Sequence, residues 1–523
     1  MTRKVLIFGW DGVPVRIINE AIEKGFLKNF SRLVGEGVYG AIDAVLPIVT
    51  PANWYSAFTG VKVDKHGVPN FVVIDRDYRL RYMSISDLKV PGLWDYIGSQ
   101  GMKGIYVNIP ISTPPPKING IWIADEEVMK DPEPYHVHPN ELLEEITRLG
   151  YKVGYPPVIG YPRELSREIR EVEDRKINVF YELLRRYEWN LAIYIARSPD
   201  YLLHYFLDRP NYMDEIFTTL KHLDGWLGKF MDDFGEETSY IVFSDHGNKG
   251  KRGYVNLLSI LSKANLLSLR RGRKLRGSWL RRNKVVRSIW GRLSPKLRSK
   301  LSKTILDRFL VMDSPSRIIV SLMDWEQTKI FPSINVGGLK VNIKGQFKSG
   351  YVYPEEREGV IKDTVELLKS IEVEGRKIFR DLEVTSSRDL YIPDILLEVD
   401  EELWFITSAD GRDVLPLKSN KLDDHIKIDI SRSRVAYHIR EGFYAIKAVG
   451  LNIGVKERLS MTDITPLTLY LLRLPIPPDL DGKLNLKLFR DDFVRTYKPI
   501  KKQYYKSYVK SRVKVLRRRL TKK

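Results

Sequence analysis

KVLIFGWDG, residues 4–12, opens on a run of apolar residues that ends in an aspartate and a glycine. Two later stretches repeat the form: LAIYIARSPD at 191–200 and SYIVFSDHG at 239–247. A short, nearly continuous apolar run bounded by turn residues is the pattern of a strand buried on both faces, as in a parallel sheet. Each run delivers an aspartate just past its end: Asp11, Asp200 and Asp245. In an open parallel α/β sheet the carboxyl ends of the strands converge on one crevice, where ligands bind. The three carboxylates are therefore expected in a single site.

Helical patterns lie between these runs. FLKNFSRLVGEG (26–37) has apolar residues at helical spacing and a glycine stop, and 91–110 reads as helix, glycine, strand. Residues 167–190 and 213–235 are two long amphipathic helices, each feeding one of the later apolar runs. Alternation of helix and strand predicts an α/β fold with a doubly wound, mostly parallel sheet. Residues 111–160, rich in Pro, Tyr and Gly, read as an irregular cap over that sheet. After Gly250 the pattern changes. Residues 255–330 are helical and basic, and 330–405 mix short strands (GGLKVNIKG, GYVYP) with one helix (EEREGVIKDTVELLKS). The chain returns to the sheet near Arg434 with RVAYHIREGFYAIKAVG and then MTDITPLTLYLLRLPIPPDLDG. The expected organisation is a catalytic core of 1–250 and 434–490, an inserted helical basic segment and α+β cap of 251–433, and a basic C-terminal extension of 491–523.

Composition narrows the chemistry. With 523 residues the chain can bury a large core, and with no cysteine any metal must be held by oxygen and nitrogen ligands. A strand that begins near Lys4 leaves no room for a signal peptide, and no apolar run reaches the roughly 18 residues of a membrane helix, so a cytoplasmic protein is expected. The net charge of +20 is concentrated: 270–303 carries fourteen Lys/Arg and 498–523 carries twelve, neither with an acid. Without those 26 side chains the remainder has 60 basic against 66 acidic residues. Two basic blocks on a mildly acidic body suggest appendages for an anionic membrane surface or a nucleic acid, which would make the protein membrane-peripheral or polyanion-bound. A solvated basic face is the plainer explanation.

Seven residues in all form the candidate metal set: Asp11, Thr50, Asp200, His204, Asp245, His246 and His438. Carboxylates, imidazoles and a hydroxyl suit zinc or manganese. Thr50 stands in LPIVTPANWYSAFTGVKVDKHG (46–67), before a proline and at the head of a predicted helix. A helix N-terminus favours a bound phosphate, and Asn53 can turn its amide toward the same anion. A metal would also activate the otherwise weak threonine nucleophile. Asp200 and His204 are four residues apart and so share a helix face. Asp245 and His246 are adjacent at a strand end, where a buried carboxylate needs a partner. Each residue alone has an ordinary explanation: Thr50 as a helix cap, Asp200 as a cap beside a core histidine, His438 as a strand histidine, Asp11 as half of an Asp-Gly turn. The set carries the argument. Among the remaining histidines, His136 and His138 are close enough in sequence to form a second cluster.

In order, FGWDG, TPANWYSAFTG, PDYLLH, SDHG and YHIREG resemble the type I phosphodiesterase/nucleotide pyrophosphatase family of the alkaline phosphatase superfamily. The matches lie in 4–80, 190–250 and 434–485, and the closing TDITPLTLYLLRLPIPPDLDG looks like the end of that fold. The resemblance implies an alkaline-phosphatase-like core and a metal-dependent phosphoric ester hydrolase acting on a phosphate ester or pyrophosphate. It implies Thr50 as the nucleophile that becomes phosphorylated. Asp200, His204 and His438 would hold one divalent ion, and Asp11, Thr50, Asp245 and His246 a second. Asn53 would hydrogen-bond a phosphoryl oxygen. Sulfatases of the superfamily place a Cys or Ser where Thr50 stands, and the phosphoglycerate mutase relatives use Ser. Nucleotide-binding relatives often carry an aromatic after the nucleophile, where this chain has Pro51; Trp54 is the aromatic nearest to that role, although Trp54 and Tyr55 equally suit a core. A phosphomonoesterase on the same scaffold is the alternative within the family. A nucleic-acid or membrane-binding protein that merely keeps the fold is the alternative outside it, and retention of all seven ligand positions argues against it.

Overall fold

The computed structural model describes residues 3–156, 161–270, 320–334, 337–373, 375–403 and 434–502, with backbone alone for 404–406 and 414–416. The first apolar run becomes the strand Lys4–Trp10, and the other two become Leu191–Ala196 and Thr238–Phe243. Their continuous apolar character has a direct cause. Val5 and Ile7 point into one core while Leu6, Phe8 and Trp10 point into another on the opposite face, and 191–196 divide in the same alternation. One core is closed by the helices Val15–Glu23, Lys28–Gly35, Pro162–Arg186 and Met213–Phe234. The other is closed by Thr50–Thr59, Leu93–Gly98 and Ile464–Leu471. A sheet covered on both faces is the doubly wound arrangement.

The sheet has nine strands, in the order 459–460, 38–43, 441–447, 238–243, 4–10, 191–196, 104–109, 120–124, 137–138. The five from 238–243 to 120–124 run parallel, while 441–447 and 137–138 are antiparallel to their neighbours. Strands 238–243, 4–10 and 191–196 are adjacent, with Lys4–Trp10 in the middle. Their three aspartates therefore leave the same sheet edge side by side. Residues 111–160 correct the sequence reading: rather than an irregular cap alone, they supply the strand Gly120–Ala124 and the edge strand Val137–His138.

The chain divides into two compact units: Met1–Phe71, Met83–Arg252 and Leu417–Lys523 form one, and Val72–Tyr82 with Gly253–Pro416 form the other. The second contains a four-stranded antiparallel sheet, in the order 330–332, 338–341, 395–399, 379–384, and the helix Arg357–Ser370. The 72–82 hairpin groups with it because Tyr78 stacks on Trp325, with ring centroids 3.9 Å apart. GYVYP yields only an isolated bridge, Ile343 to Val352, because its residues bond to Asn342 and Lys344 rather than along a full ladder. In the C-terminal stretch, the helix Asp491–Thr496 buries Phe493, and the Ile476 amide donates to the Ile500 carbonyl at 2.7 Å. Residues 271–303 and 503–523, most of the two basic blocks, lie outside the described residues. Among the described residues no helix is long and apolar enough to cross a membrane.

Candidate active site

Asp11 follows the central strand and keeps its register, its amide donating to the Ala196 carbonyl at 2.9 Å. Gly12 turns the chain with φ +76°, a left-handed conformation suited to glycine. Its amide donates to Asp245 Oδ1 at 3.3 Å, and the Val13 amide donates to Ser244 Oγ at 2.8 Å. These bonds lock the turn after 4–10 to the turn after 238–243. Asp200 lies in the first turn of the helix Ser198–Phe206, with His204 one turn on. His438 lies in the short strand Ala436–Ile439, which pairs antiparallel with Gly247–Gly250, the strand that follows His246.

All seven predicted residues meet. Asp200, His204 and His438 form a triangle: His204 Nε2 is 3.4 Å from Asp200 Oδ2, His438 Nε2 is 3.6 Å from Asp200 Oδ1, and the two Nε2 atoms are 3.2 Å apart. Beside it, His246 Nε2 stands 3.6 Å from Asp11 Oδ1, 3.3 Å from Asp245 Oδ2 and 3.3 Å from Thr50 Oγ1. The rings of His246 and His438 stack with centroids 3.7 Å apart, so the two groups share a wall.

The tautomers follow from the hydrogen bonds. His204 Nδ1 faces the Ala436 carbonyl at 2.8 Å, His246 Nδ1 the Gly247 carbonyl at 3.2 Å, and His438 Nδ1 the Ile48 carbonyl at 3.0 Å. A carbonyl only accepts, so each Nδ1 carries the proton and each Nε2 presents a lone pair. Three lone pairs thus converge on three carboxylates. Burial lowers the His246 pKa to about 4 and holds His438 well below its ordinary range, the latter helped by neighbouring His246. Burial, then the charge of Asp200, pushes Asp11 well above the carboxylate range, and burial with Asp11 does the same to Asp245. Asp11 Oδ1 and Asp245 Oδ2 are buried without a hydrogen-bond partner among the described residues. Acceptors packed against acceptors are costly unless a cation lies between them.

The spacing fits such a cation. Four ligands at about 2.0–2.1 Å from a tetrahedral ion lie roughly 3.3–3.4 Å apart, and the separations within the two groups run from 3.2 to 3.6 Å. Asp11, Asp245 and His246 form one set of donor atoms close enough to share an ion, and Asp200, His246 and His438 another.

Thr50 is the first residue of a wholly buried helix, Thr50–Thr59. That helix is braced from below. His66 Nδ1 accepts from the Val68 amide at 3.2 Å, so its Nε2 carries the proton, and it meets Ser56 Oγ at 3.0 Å; Ser56 in turn donates to the Ala52 carbonyl at 2.8 Å. Two residues of the same helix differ from the sequence reading. Asn53 Oδ1 accepts from the Val45 amide at 2.7 Å, and its Nδ2 donates to the Pro47 and Val49 carbonyls at 3.1 and 3.3 Å. Its amide is engaged in shaping the 45–49 turn, so in this geometry it has no group to offer a phosphoryl oxygen. Trp54 is fully buried, packed on Phe58 and Phe243, and its Nε1 donates to Asp11 Oδ2 at 3.4 Å. Its place is under the site, holding Asp11, and not against substrate. His136 and His138 do not form a cluster: His136 pairs with Glu126 at 3.0 Å and His138 with the Ile118 carbonyl at 3.2 Å.

A buried polar network that the sequence reading missed supports the ligands. Arg197 reaches Asp125 at 2.8 Å and Glu127 at 3.0 Å, and lies 4.0 Å from Asp11. Asp125 also meets Lys176 at 3.4 Å, and Lys176 donates to Asn108 Oδ1 at 2.7 Å. Glu173 accepts from the Ser198 amide at 2.9 Å, capping the helix that carries Asp200 and His204, and also takes the hydroxyls of Tyr155 and Tyr194. A signal existed. In EVEDRKINVF, Glu173 and Lys176 fall on the apolar stripe of the 162–186 helix, beside Ile169, Val172, Ile177 and Phe180. Charged residues on a buried stripe announce a partner.

Comparison with solved structures gives the fold. Phosphonoacetate hydrolase from Sinorhizobium meliloti 1021 superposes with a TM-score of 0.56 at 13% identity, covering 90% of this chain and 95% of that one. Murine ectonucleotide pyrophosphatase/phosphodiesterase 5 gives a TM-score of 0.49 at 13% identity, covering 93% of this chain and 100% of that one. A search of curated proteins by sequence finds no match. The family model described as type I phosphodiesterase/nucleotide pyrophosphatase matches residues 5–425. Over four fifths of its length, then, the chain carries the pattern of one family of phosphoryl hydrolases, and it belongs to the type I phosphodiesterase/nucleotide pyrophosphatase family.

Proposed function

We propose that this protein hydrolyses a phosphodiester or pyrophosphate bond by in-line displacement, with Thr50 as the nucleophile and two divalent cations, zinc or manganese, held by Asp200, His204 and His438 and by Asp11, Thr50, Asp245 and His246. The observation that carries the reading is the convergence of three Nε2 lone pairs and three carboxylates on one site, with His246 Nε2 3.3 Å from the Thr50 hydroxyl. Bound divalent cations would stabilise negative charge on the attacking and leaving oxygens and make the hydroxyl and a water more acidic.

The residues do the rest. Thr50 Oγ forms a bond to phosphorus as the bond from phosphorus to the leaving oxygen breaks; the hydroxyl proton passes to solvent and the leaving group takes one from it. Water then attacks the phospho-threonine, the Oγ–phosphorus bond breaks, and the hydroxyl is restored. The 50–59 helix starts at Thr50, so the positive end of its dipole lies where the phosphoryl group would bind and favours an anion there. Trp54 and Arg197 keep Asp11 in place from behind.

The test is a substrate panel run with metal analysis of the same preparation: bis(p-nitrophenyl) phosphate, a dinucleotide pyrophosphate, p-nitrophenyl phosphate, a sulfate ester and phosphonoacetate. Turnover of diester or pyrophosphate with about two bound ions supports the proposal. Turnover confined to the monoester, the sulfate or the phosphonate would overturn it.

A further inference from the structure

Asn248 follows the Asp245-His246-Gly247 turn and takes no part in the chemistry above. Its side chain is 1% exposed, and its backbone pairs with that of His438 across the 247–250/436–439 ladder. Its amide nitrogen donates to Asp200 Oδ1 at 2.8 Å and to the Gly12 carbonyl at 2.9 Å. Both partners are acceptors, which fixes Nδ2 as the atom facing them. One amide therefore ties the strand after His246 to two elements that carry ligands, the turn after 4–10 and the helix 198–206. The contact is tight. A methyl group on Gly12 would collide with Asp200 Oδ1 and lie 2.7 Å from Asn248 Nδ2. Asn248 Oδ1 is buried without a hydrogen-bond donor among the described residues, and so joins Asp11 Oδ1 and Asp245 Oδ2 as a third unpartnered acceptor in the site.

A carboxylate beside two imidazoles can rotate about its terminal torsion, a broad and soft coordinate. A hydrogen bond to one oxygen fixes the plane and so the direction of the remaining lone pairs. A neutral donor does this without cancelling the negative charge on which cation binding depends; a lysine or arginine at 248 would cancel it. We infer that Asn248 is a positioning residue for Asp200, and that it sets the cation affinity of the Asp200–His204–His438 group and leaves the Asp11–Asp245–His246 group nearly untouched. The inference rests on the two-ion reading above.

The experiment measures zinc and manganese binding to the full-length protein, by metal analysis after dialysis and by titration against a competing chelator, for wild type, Asn248→Leu and Asn248→Ala. Leu is close in shape and Ala is smaller, and both remove the donor. Outer partners of metal ligands are worth about 10–100-fold in metal affinity. The expected result is a loss of that size for one of the two ions, with the other within about twofold of wild type and the melting temperature of the chelated protein little changed. Should Asn248→Leu fail to fold, Asn248→Ala carries the test, with the same one-site loss expected. Wild-type affinity for both ions would overturn the proposal. So would equal loss at both together with a lowered melting temperature without metal, the mark of a merely structural role. Wild-type protein that bound no divalent cation would overturn the two-ion reading itself, whereas two tightly held ions in all three proteins would overturn only the role of Asn248.

Discussion

Gly12→Ala should dismantle half of the cation site while leaving the fold standing. Gly12 has φ +76°, and an added methyl group would run into Asp200 Oδ1 and approach Asn248 Nδ2 to 2.7 Å. Two costs are involved. An L-residue in the left-handed region costs about 1–2 kcal/mol, and forcing atoms into a packed site costs a further ~1–3 kcal/mol. The group that can yield is the Asp200 carboxylate, at the free end of its side chain. Its retreat opens the distances to His204 and His438, now 3.4 and 3.6 Å. Gly25 provides the control, because its φ is +74° and nothing lies within 4 Å of the position its Cβ would take. Gly25→Ala therefore carries the backbone strain alone. Unfolding midpoints in urea for both variants, taken in chelator, give the difference that belongs to the clash, expected at about 1–3 kcal/mol. Metal analysis should find Gly12→Ala short of one ion and Gly25→Ala with the full complement. If Gly12→Ala matched Gly25→Ala in stability and held the same metal, the close packing of Gly12, Asp200 and Asn248 would not exist in solution, and the geometry of the whole site would be in error.

Four further outcomes are expected. Thr50→Ala should cut diester turnover by roughly a thousandfold or more, as loss of a nucleophile does, with the three ligands Asp200, His204 and His438 still retaining an ion by metal analysis. Chelation should abolish turnover and lower the melting temperature, since each ion at a hundred times its dissociation constant stabilises by about 2.7 kcal/mol; zinc or manganese should restore both. Burial lowers the pKa of His66 from 6.5 to about 3, so between those values the unfolded chain binds a proton that the folded chain does not. Its contribution is complete above pH 6.5 and falls with pH at up to about 1.4 kcal/mol per unit; the stability gap between wild type and His66→Gln in chelator should accordingly narrow by about 2 kcal/mol from pH 7 to pH 5, and a constant gap would refute the buried neutral imidazole. Truncation after residue 502, beyond the bond from Ile476 to Ile500, should spare turnover of a small soluble ester and weaken binding to anionic vesicles; unchanged vesicle binding would remove the role proposed for the basic extension.

How much of this was legible depended on how many places a residue type can occupy. An aspartate at the end of a buried parallel strand has few, and Asp11, Asp200 and Asp245 left three neighbouring strands as their flanking runs suggested. The histidines were readable only through those carboxylates. Asn53 and Trp54 misled because sequence proximity to Thr50 says nothing about which side of a wholly buried helix faces substrate. Three and four residues on from Thr50, both side chains found partners in the interior: Asn53 the 45–49 backbone, Trp54 a space that exists because residue 9 lacks a side chain. A Cβ on Gly9 would strike the Trp54 ring and lie 2.6 Å from Ile195 Cδ1, so FGWDG encodes the seat of a tryptophan 45 positions away. Nothing local announces such a pairing. The 72–82 hairpin was unreadable for a similar reason: a short strand pattern does not say which sheet or core it will join.

The ladder between 247–250 and 436–439 has one more implication. Its rungs pair Gly247 with Ile439, Asn248 with His438, Lys249 with Tyr437 and Gly250 with Ala436, and the Lys251 amide then donates to the Val435 carbonyl at 2.9 Å. The ladder joins two stretches far apart in the sequence, and its rungs set the height of His438 against His246. Doubling the length of a loop costs only about 0.6 kcal/mol in closure entropy. Descendants of such a chain could lengthen, trim or exchange the sequence between the two paired strands without disturbing the alignment of the two histidines.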